Sequence, residues 1–280
     1  MKEVDKKYRY YKELNFVKSL IQKAYKKCIY NKKRDVSIKV DKTVVTNLDI
    51  NTEKFLIQNL KNKFKNDNFL TEETNNKTKL GNRTWIIDPI DGTSLFIRNS
   101  AFYDMQIAFY DKNETQFSII FLPMLNEIYV AIKGHGAYLN GQKIHRMCNT
   151  PMKKCNVNFN NIPYNWPLEI KEKYEKLYND AKEDFFAPKF LTIDCSGVQY
   201  ALLAKGVTDF LVEPANTKWD YMPGDLLAKE VGANYYNFDN EEFTRYYSFS
   251  KELDDYLGLT NENNKKWCFR FLGEVINLFC

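Results

Sequence analysis

The stretch Trp85-Ile86-Ile87-Asp88-Pro89-Ile90-Asp91-Gly92-Thr93 decides how the rest of the chain is read. Its apolar start, Trp85, Ile86 and Ile87, has the character of a strand buried in a sheet. Pro89 cannot donate to a sheet ladder, so the strand is expected to end at or near Asp88. Asp88 and Asp91 then fall on the turn beyond the strand's carboxyl end, where open α/β sheets place ligands. Two carboxylates so close together repel unless something cationic lies between them. A hard divalent metal with oxygen ligands relieves that repulsion, and the Gly92-Thr93 turn offers backbone N–H groups to an anion. Metal plus anion points to phosphate chemistry. Asp-Pro and Asp-Gly pairs are also ordinary turn formers, and an aspartate can cap a helix starting near Ser94, so the motif alone fits either role.

Outward from this stretch the chain reads as mixed α and β. Leu14, Val17, Ile21, Ala24 and Cys28 recur at three and four, which predicts an amphipathic helix over 8–29. Asn51 is the expected cap of a second helix, 52–65, with Leu56, Leu60 and Phe64 as its apolar stripe. Strands are expected at 68–72, 84–88, 102–110, 117–122 and 127–132, with Asn140-Gly141 as a hairpin turn. These make an antiparallel meander backed by the two helices. Residues 150–167, with Pro151, Pro163 and Pro167 among asparagines, read as a crossing to a second part. There a polar helix at 168–184 is expected, then a strand near 188–193, a helix at 196–205, a strand at 208–213 and a helix at 221–231, with Pro223 in its first turn.

The bulk numbers exclude several classes. A chain of 280 residues that is 44% hydrophobic and 15% aromatic is not disordered. The net charge of +5 arises from 41 basic and 36 acidic residues spread along the chain, without the clustering of a nucleic-acid surface. Met1–Asp5 leads into a charged region without an apolar core, so no secretory signal is expected, and no run of 18 apolar residues exists to span a membrane. The cysteines Cys28, Cys148, Cys155, Cys195, Cys268 and Cys280 form no C-x-x-C pair and are expected as reduced thiols of a cytoplasmic protein.

Four blocks resemble the inositol monophosphatase family of magnesium-dependent, lithium-sensitive phosphomonoesterases. They are the aspartate motif with the strand before it; Trp219-Asp220 followed by Gly224 and Glu230-Val231-Gly232-Ala233; Phe69-Leu70-Thr71-Glu72-Glu73; and Val45-Thr46-Asn47-Leu48-Asp49. They stand in the family's order and together cover about residues 10–240. The resemblance implies a layered α-β-α-β-α sandwich of the inositol monophosphatase and fructose bisphosphatase type. In that arrangement residues 1–150 form an α+β part holding most metal ligands. Residues 151–280 form an α/β part carrying Asp220 and substrate contacts, the two making one catalytic unit.

What the resemblance implies for the site is specific. Glu72, Asp88 and the backbone carbonyl of Ile90 hold one Mg²⁺; Asp88, Asp91 and Asp220 hold a second, and a third weaker ion sits near Glu72. Oxygen-only donors agree with Mg²⁺ in preference to zinc or iron. Glu72 and the Thr93 hydroxyl orient a metal-activated water for in-line attack, Asp49 holds Thr93, and the Gly92 and Thr93 N–H groups bind the phosphate. Asp49 and Asp220 also fit ordinary helix-start charges. Glu73, next to Glu72, would face the other way on a strand and is read as structural. His135 and His145 receive no role.

The implied substrate is a small phosphorylated metabolite, inositol monophosphate first. A 3′(2′),5′-bisphosphate nucleotidase and a histidinol-phosphatase are the alternatives within the family. Outside it stands a non-catalytic regulator that binds phosphate metabolites. Glu213 occupies the position of an acidic residue that contacts ring hydroxyls. Asp194-Cys195-Ser196-Gly197 matches a ring-lining backbone stretch, with Asp194 and Ser196 as contacts. Asp194 replaces a small residue there. No arginine lies between Arg146 and Arg245, which weighs against a bisphosphate clamp. A homodimer is implied, with neither nucleic-acid nor membrane partners.

Overall fold

The computed structural model describes residues 7–40, 42–146, 150–151, 154–159, 172, 189–214, 217–237, 244–248 and 251–252. The expected helix 168–184 falls outside these, apart from Glu172. The rest divides into two units, one of Met1–His145, Ile193–Ala204 and Thr217–Val231, the other of Arg146–Thr192, Lys205–Asn216 and Gly232–Cys280. A division at residue 150 assigns Asp220 and Asp194 to the second part; both belong to the first unit. The reason is packing: the helix bearing Asp220 buries Met222 against Leu70, Ile86 and Ala108 of the first unit's sheet.

The first unit is built on seven strands in the order β3-β4-β5-β6-β7-β8-β9. They are β3 (Asn68–Thr71), β4 (Thr84–Asp91), β5 (Asp104–Asp111), β6 (Glu114–Leu122), β7 (Glu127–Ile132), β8 (Gly136–Leu139) and β9 (Gln142–Ile144). Only β3 and β4 run parallel; every later pairing is antiparallel. Alternation splits the sheet's side chains between two faces. Trp85, Ile87, Met105, Ile107, Phe109, Phe117 and Ile119 pack with α1 (Tyr11–Ala24) and α2 (Asn47–Lys63), while Ile86 and Ala108 pack on the other side. Trp85 is fully buried and its indole N–H donates to Asp67 at 2.9 Å, which satisfies the one polar atom that burial would orphan. Asn140 and Gly141 both adopt positive φ between β8 and β9, as the tight hairpin requires.

Three of the boundaries that differ from the sequence expectation bear on the site. Strand β4 continues through Pro89 to Asp91 because a bulge lies between Asp88 and Asp91. Pro89 therefore sits where no ladder bond is lost. Helix α2 starts at Asn47: Thr46, at the end of the short strand β2 (Val44–Thr46), is the cap and receives the Leu48 N–H at 3.1 Å, with Asp49 closing a capping box. Asn51 is inside the helix. The helix bearing Asp220 starts at Lys218, so Pro223 lies in its interior, where its carbonyl accepts from Ser118 Oγ at 2.8 Å. Helix 196–205 appears as Ser196–Lys205, and we label it α4 and the Lys218–Glu230 helix α5, after the four-residue α3 (Thr93–Phe96). A hairpin of β1 (Val36–Ile38) and β2 has no counterpart in the sequence reading.

The second unit has five strands ordered β11-β10-β12-β14-β13. They are β10 (Asn156–Phe159), β11 (Lys189–Leu191), β12 (Phe210–Pro214), β13 (Asn234–Asn237) and β14 (Thr244–Ser248). Strand β10 runs parallel to both its neighbours; β14 is antiparallel to β12 and β13. Asp209 ties its start together, accepting from Arg146 Nη2 at 2.9 Å, Thr150 Oγ1 at 2.8 Å and the Asn156 N–H at 2.9 Å. Among the described residues no helix is long and apolar enough to cross a membrane, and Cys28, Cys155 and Cys195 are in no disulfide.

Candidate active site

The bulge in β4 is what makes two aspartates into a site. Residues 88 and 91 are an odd number apart and on a regular strand would point to opposite faces. Asp88 lies opposite Gln106 and Asp91 opposite Asp104, so three steps along β4 match two along β5. The extra residue restores the phase and sends Asp88 and Asp91 to the same face as Asp104 and Gln106. Gly92 follows with φ +77°, where any Cβ would also lie 3.0 Å from Cys195, and from that turn α3 begins.

Asp220, in the first turn of α5, completes the group. Ligand oxygens of Asp88, Asp91 and Asp220 lie within 4.8 Å of one another. Burial pushes Asp88 well above the usual carboxylate range, and the charges of Glu72, Asp91, Asp220 and Asp104 push it further. Asp220 is raised for the same reasons, burial first and then Asp91 and Glu72. Asp91 is pushed up to about 6 by burial, against the Gly197 N–H, which donates to its Oδ2 at 2.9 Å. Gln106 Nε2 donates to the same oxygen at 2.8 Å. Among the described residues no lysine or arginine pairs with Asp88, Asp91 or Asp220. A buried, mutually repelling set of oxygen donors with no protein cation fits a hard divalent ion.

The other expected residues fall in three places. Asp49 is fully buried; its Oδ2 accepts the Thr46 N–H at 2.9 Å and the Thr46 hydroxyl, while its Oδ1 accepts from Thr93 Oγ1 at 3.1 Å. It thus serves as both helix cap and Thr93 partner. The Ile90 carbonyl lies 3.0 Å from the Thr93 hydroxyl. Glu72 falls outside the three-aspartate group: Lys39, from the β1–β2 hairpin, reaches Glu72 Oε1 at 2.7 Å and Glu73 Oε1 at 2.8 Å. Strand β3 stops at Thr71, so alternation does not separate Glu72 from Glu73 and both meet the same ammonium. Burial and the Glu72 charge push Glu73 up to about 7. Asp194 accepts from Ser94 Oγ at 2.9 Å, and Ser196, buried, opens α4. Glu213 is buried within β12 of the second unit.

Lys39, Asp104, Gln106 and Cys195 were not singled out from the sequence. Gln106 and Asp104 carried one signal, as the polar phase of an alternating strand, but the register that aims them at Asp91 depends on the bulge.

The profile of the inositol monophosphatase family matches residues 10–261. The chain belongs to that family. Family membership places it among metal-dependent phosphomonoesterases. It is 26% identical over 226 residues to the fructose-1,6-bisphosphatase/inositol-1-monophosphatase of Thermotoga maritima, covering 79% of this chain and 84% of that one. It is 28% identical over 203 residues to the inositol-1-monophosphatase of Bacillus subtilis, covering 72% and 75%. The solved Thermotoga maritima inositol monophosphatase superposes with a TM-score of 0.75 over 90% of this chain and 97% of that one, at 22% identity. That likeness establishes the α+β fold of this family for the chain.

Proposed function

We propose that the chain hydrolyses a small phosphorylated metabolite with Mg²⁺, and that inositol monophosphate is its preferred substrate. The convergence of Asp88, Asp91 and Asp220 carries this reading, because it assembles oxygen donors from two distant segments without a protein cation. Asp88, Asp91 and Asp220 would hold one ion; Glu72, Asp88 and the Ile90 carbonyl would hold another, with two to three in all. When bound, such ions neutralise charge on phosphoryl oxygens and acidify water. The chain's own residues do the positioning. Glu72 and the Thr93 hydroxyl, held between Asp49 and the Ile90 carbonyl, would orient the attacking water. Gly92 and Thr93 are the backbone donors to the phosphate. Glu213, Asp194 and Ser196 are assigned to the rest of the substrate.

The test is phosphate release from inositol 1-phosphate, 3′-phosphoadenosine 5′-phosphate, histidinol phosphate and fructose 1,6-bisphosphate, with Mg²⁺, with added lithium, and in excess chelator. Inositol 1-phosphate is expected to be fastest, with loss of release in chelator and inhibition by lithium. Preference for another of the four reassigns the substrate within the family. Full activity in chelator overturns the metal assignment, and no release from any of them favours the non-catalytic regulator. The family likeness also supports a cytoplasmic homodimer, which light scattering at working concentration checks.

A further inference from the structure

Beside the proposed Mg²⁺ ligands stands a second group that the proposed reaction does not use. Asp91, Asp104 and Cys195 bring two carboxylates and a thiol within 4.8 Å of one another. Cys195 Sγ lies 3.0 Å from Asp104 Oδ2, 3.5 Å from Asp91 Oδ2 and 3.6 Å from the Asp91 carbonyl oxygen. Asp104 is 0% and Cys195 2% exposed. Three separate elements supply the donors: the first residue of β5, the last residue of β4 and the residue before α4. Packing holds the group shut, since a Cβ on Gly197 would lie 2.3 Å from both Asp104 oxygens.

Two independent observations point to a ligand. The other carboxylate oxygen, Asp104 Oδ1, is buried and has no hydrogen-bond partner among the described residues. Asp104, fully buried, also lies directly across the ladder from Asp91, so two carboxylates face each other, and no described lysine or arginine pairs with either. An uncompensated buried carboxylate is costly.

The donor chemistry selects the ion. A sulfur among carboxylates favours a borderline-soft divalent metal over Mg²⁺, which takes oxygen alone. Neighbouring oxygen and sulfur ligands of a tetrahedral zinc lie about 3.5 Å apart, from bond lengths of about 2.1 and 2.3 Å. The sulfur-to-oxygen separations here bracket that distance. We infer that Asp91, Asp104 and Cys195 form a binding site for a thiophilic divalent cation of the zinc class. Binding releases the Cys195 thiol proton to solvent. Asp91 is shared with Asp88 and Asp220, so occupancy competes for a carboxylate of the proposed catalytic group. That competition rests on the proposed function; the binding itself does not.

The experiment titrates the full chain with cadmium in excess Mg²⁺, following the ultraviolet thiolate-to-cadmium charge-transfer band. Zinc stoichiometry is measured in parallel by calorimetry. Wild type, Cys195→Ser and Asp104→Asn are compared, all three retaining the remaining cysteines so that their contribution cancels. The wild type is expected to show extra charge-transfer absorbance and one more zinc per chain than Cys195→Ser. Asp104→Asn is expected to bind at least about tenfold more weakly. A flat difference spectrum between wild type and Cys195→Ser, or the same zinc stoichiometry in all three, overturns the site. Should Cys195→Ser fail to fold, the affinity of Asp104→Asn for zinc decides the question alone. Neither readout involves turnover, so an inactive enzyme that binds zinc leaves the site standing.

Discussion

Strand β5 carries a buried aspartate at each end. At its far end Asp111 is fully partnered: Tyr10 Oη donates to Oδ2 at 2.6 Å and the Arg83 N–H to Oδ1 at 3.2 Å. Burial pushes Asp111 up, but these bonds and the Arg83 charge outweigh it and bring the group below its ordinary 3.8. At the near end Asp104 faces Asp91 across the ladder, keeps one oxygen unpartnered and is raised well above that value, by burial first and then by the Asp91 charge. One strand thus holds a carboxylate built into the fold and another that the fold leaves unsatisfied. Burial is common to both; the partners differ. Asp111 has donors from the chain on both oxygens, whereas Asp104 has the Cys195 thiol on Oδ2 and no hydrogen-bond partner on Oδ1 among the described residues.

The comparison breaks most visibly at the near end. Asp91→Asn keeps the shape of the side chain and removes a charge from the group with Asp88 and Asp220. Mg²⁺-dependent phosphate release is expected to fall by about 100-fold or more, since even outer partners of metal ligands cost 10- to 100-fold. The thermal midpoint should stay within a few degrees of wild type. Unchanged activity would show that the near-end carboxylates are no more functional than Asp111.

A smaller effect is expected at the far end. Tyr10→Phe removes the phenol's bond to Asp111 while keeping the ring, which packs 5.3 Å from Phe109. The loss should be about 1 kcal/mol of stability near neutral pH. The sign with pH follows from the lowered value. Asp111 contributes above its unfolded value of 3.8, and that contribution is lost as pH falls through its lower folded value. Denaturant melts of both proteins should therefore differ fully at pH 6 and converge in acid. A gap that does not change with pH would mean the phenol acts on something other than the ionised carboxylate.

How far the sequence carried depends on which of these ends is considered. Asp88 and Asp91 were legible because an apolar run, a proline and a glycine turn mark a strand end, whatever the tertiary fold. Asp220 and Asp49 became legible through family resemblance, since each alone is an ordinary helix-start charge. Asp104 and Gln106 were visible only as polar alternation; a bulge shifts register by one residue, and no local pattern announces it. Lys39 was hidden for a different reason: three-residue strands carry too little periodicity to be called, and a lysine on a hairpin reads as solvated until Glu72 and Glu73 are found against it. The misplaced start of α2 has the same root. Thr46 ends a strand and caps a helix at once, and the capping box uses Asp49 where glutamate is commoner.

The smallest prediction concerns the sign of an effect and not its size. Asp104→Asn keeps an acceptor for the Cys195 thiol and removes a negative charge directly across the ladder from Asp91. Like charges in such a cross-strand pair are destabilising by up to about 1 kcal/mol. In metal-free buffer the variant should accordingly be as stable as wild type or slightly more so, opposite in sign to Tyr10→Phe at the other end of the strand. Chemical denaturation in chelator compares the two on one scale. If Asp104→Asn instead loses as much as Tyr10→Phe, then Asp104 is held by partners in the chain as Asp111 is, and its buried Oδ1 is no argument for a bound cation.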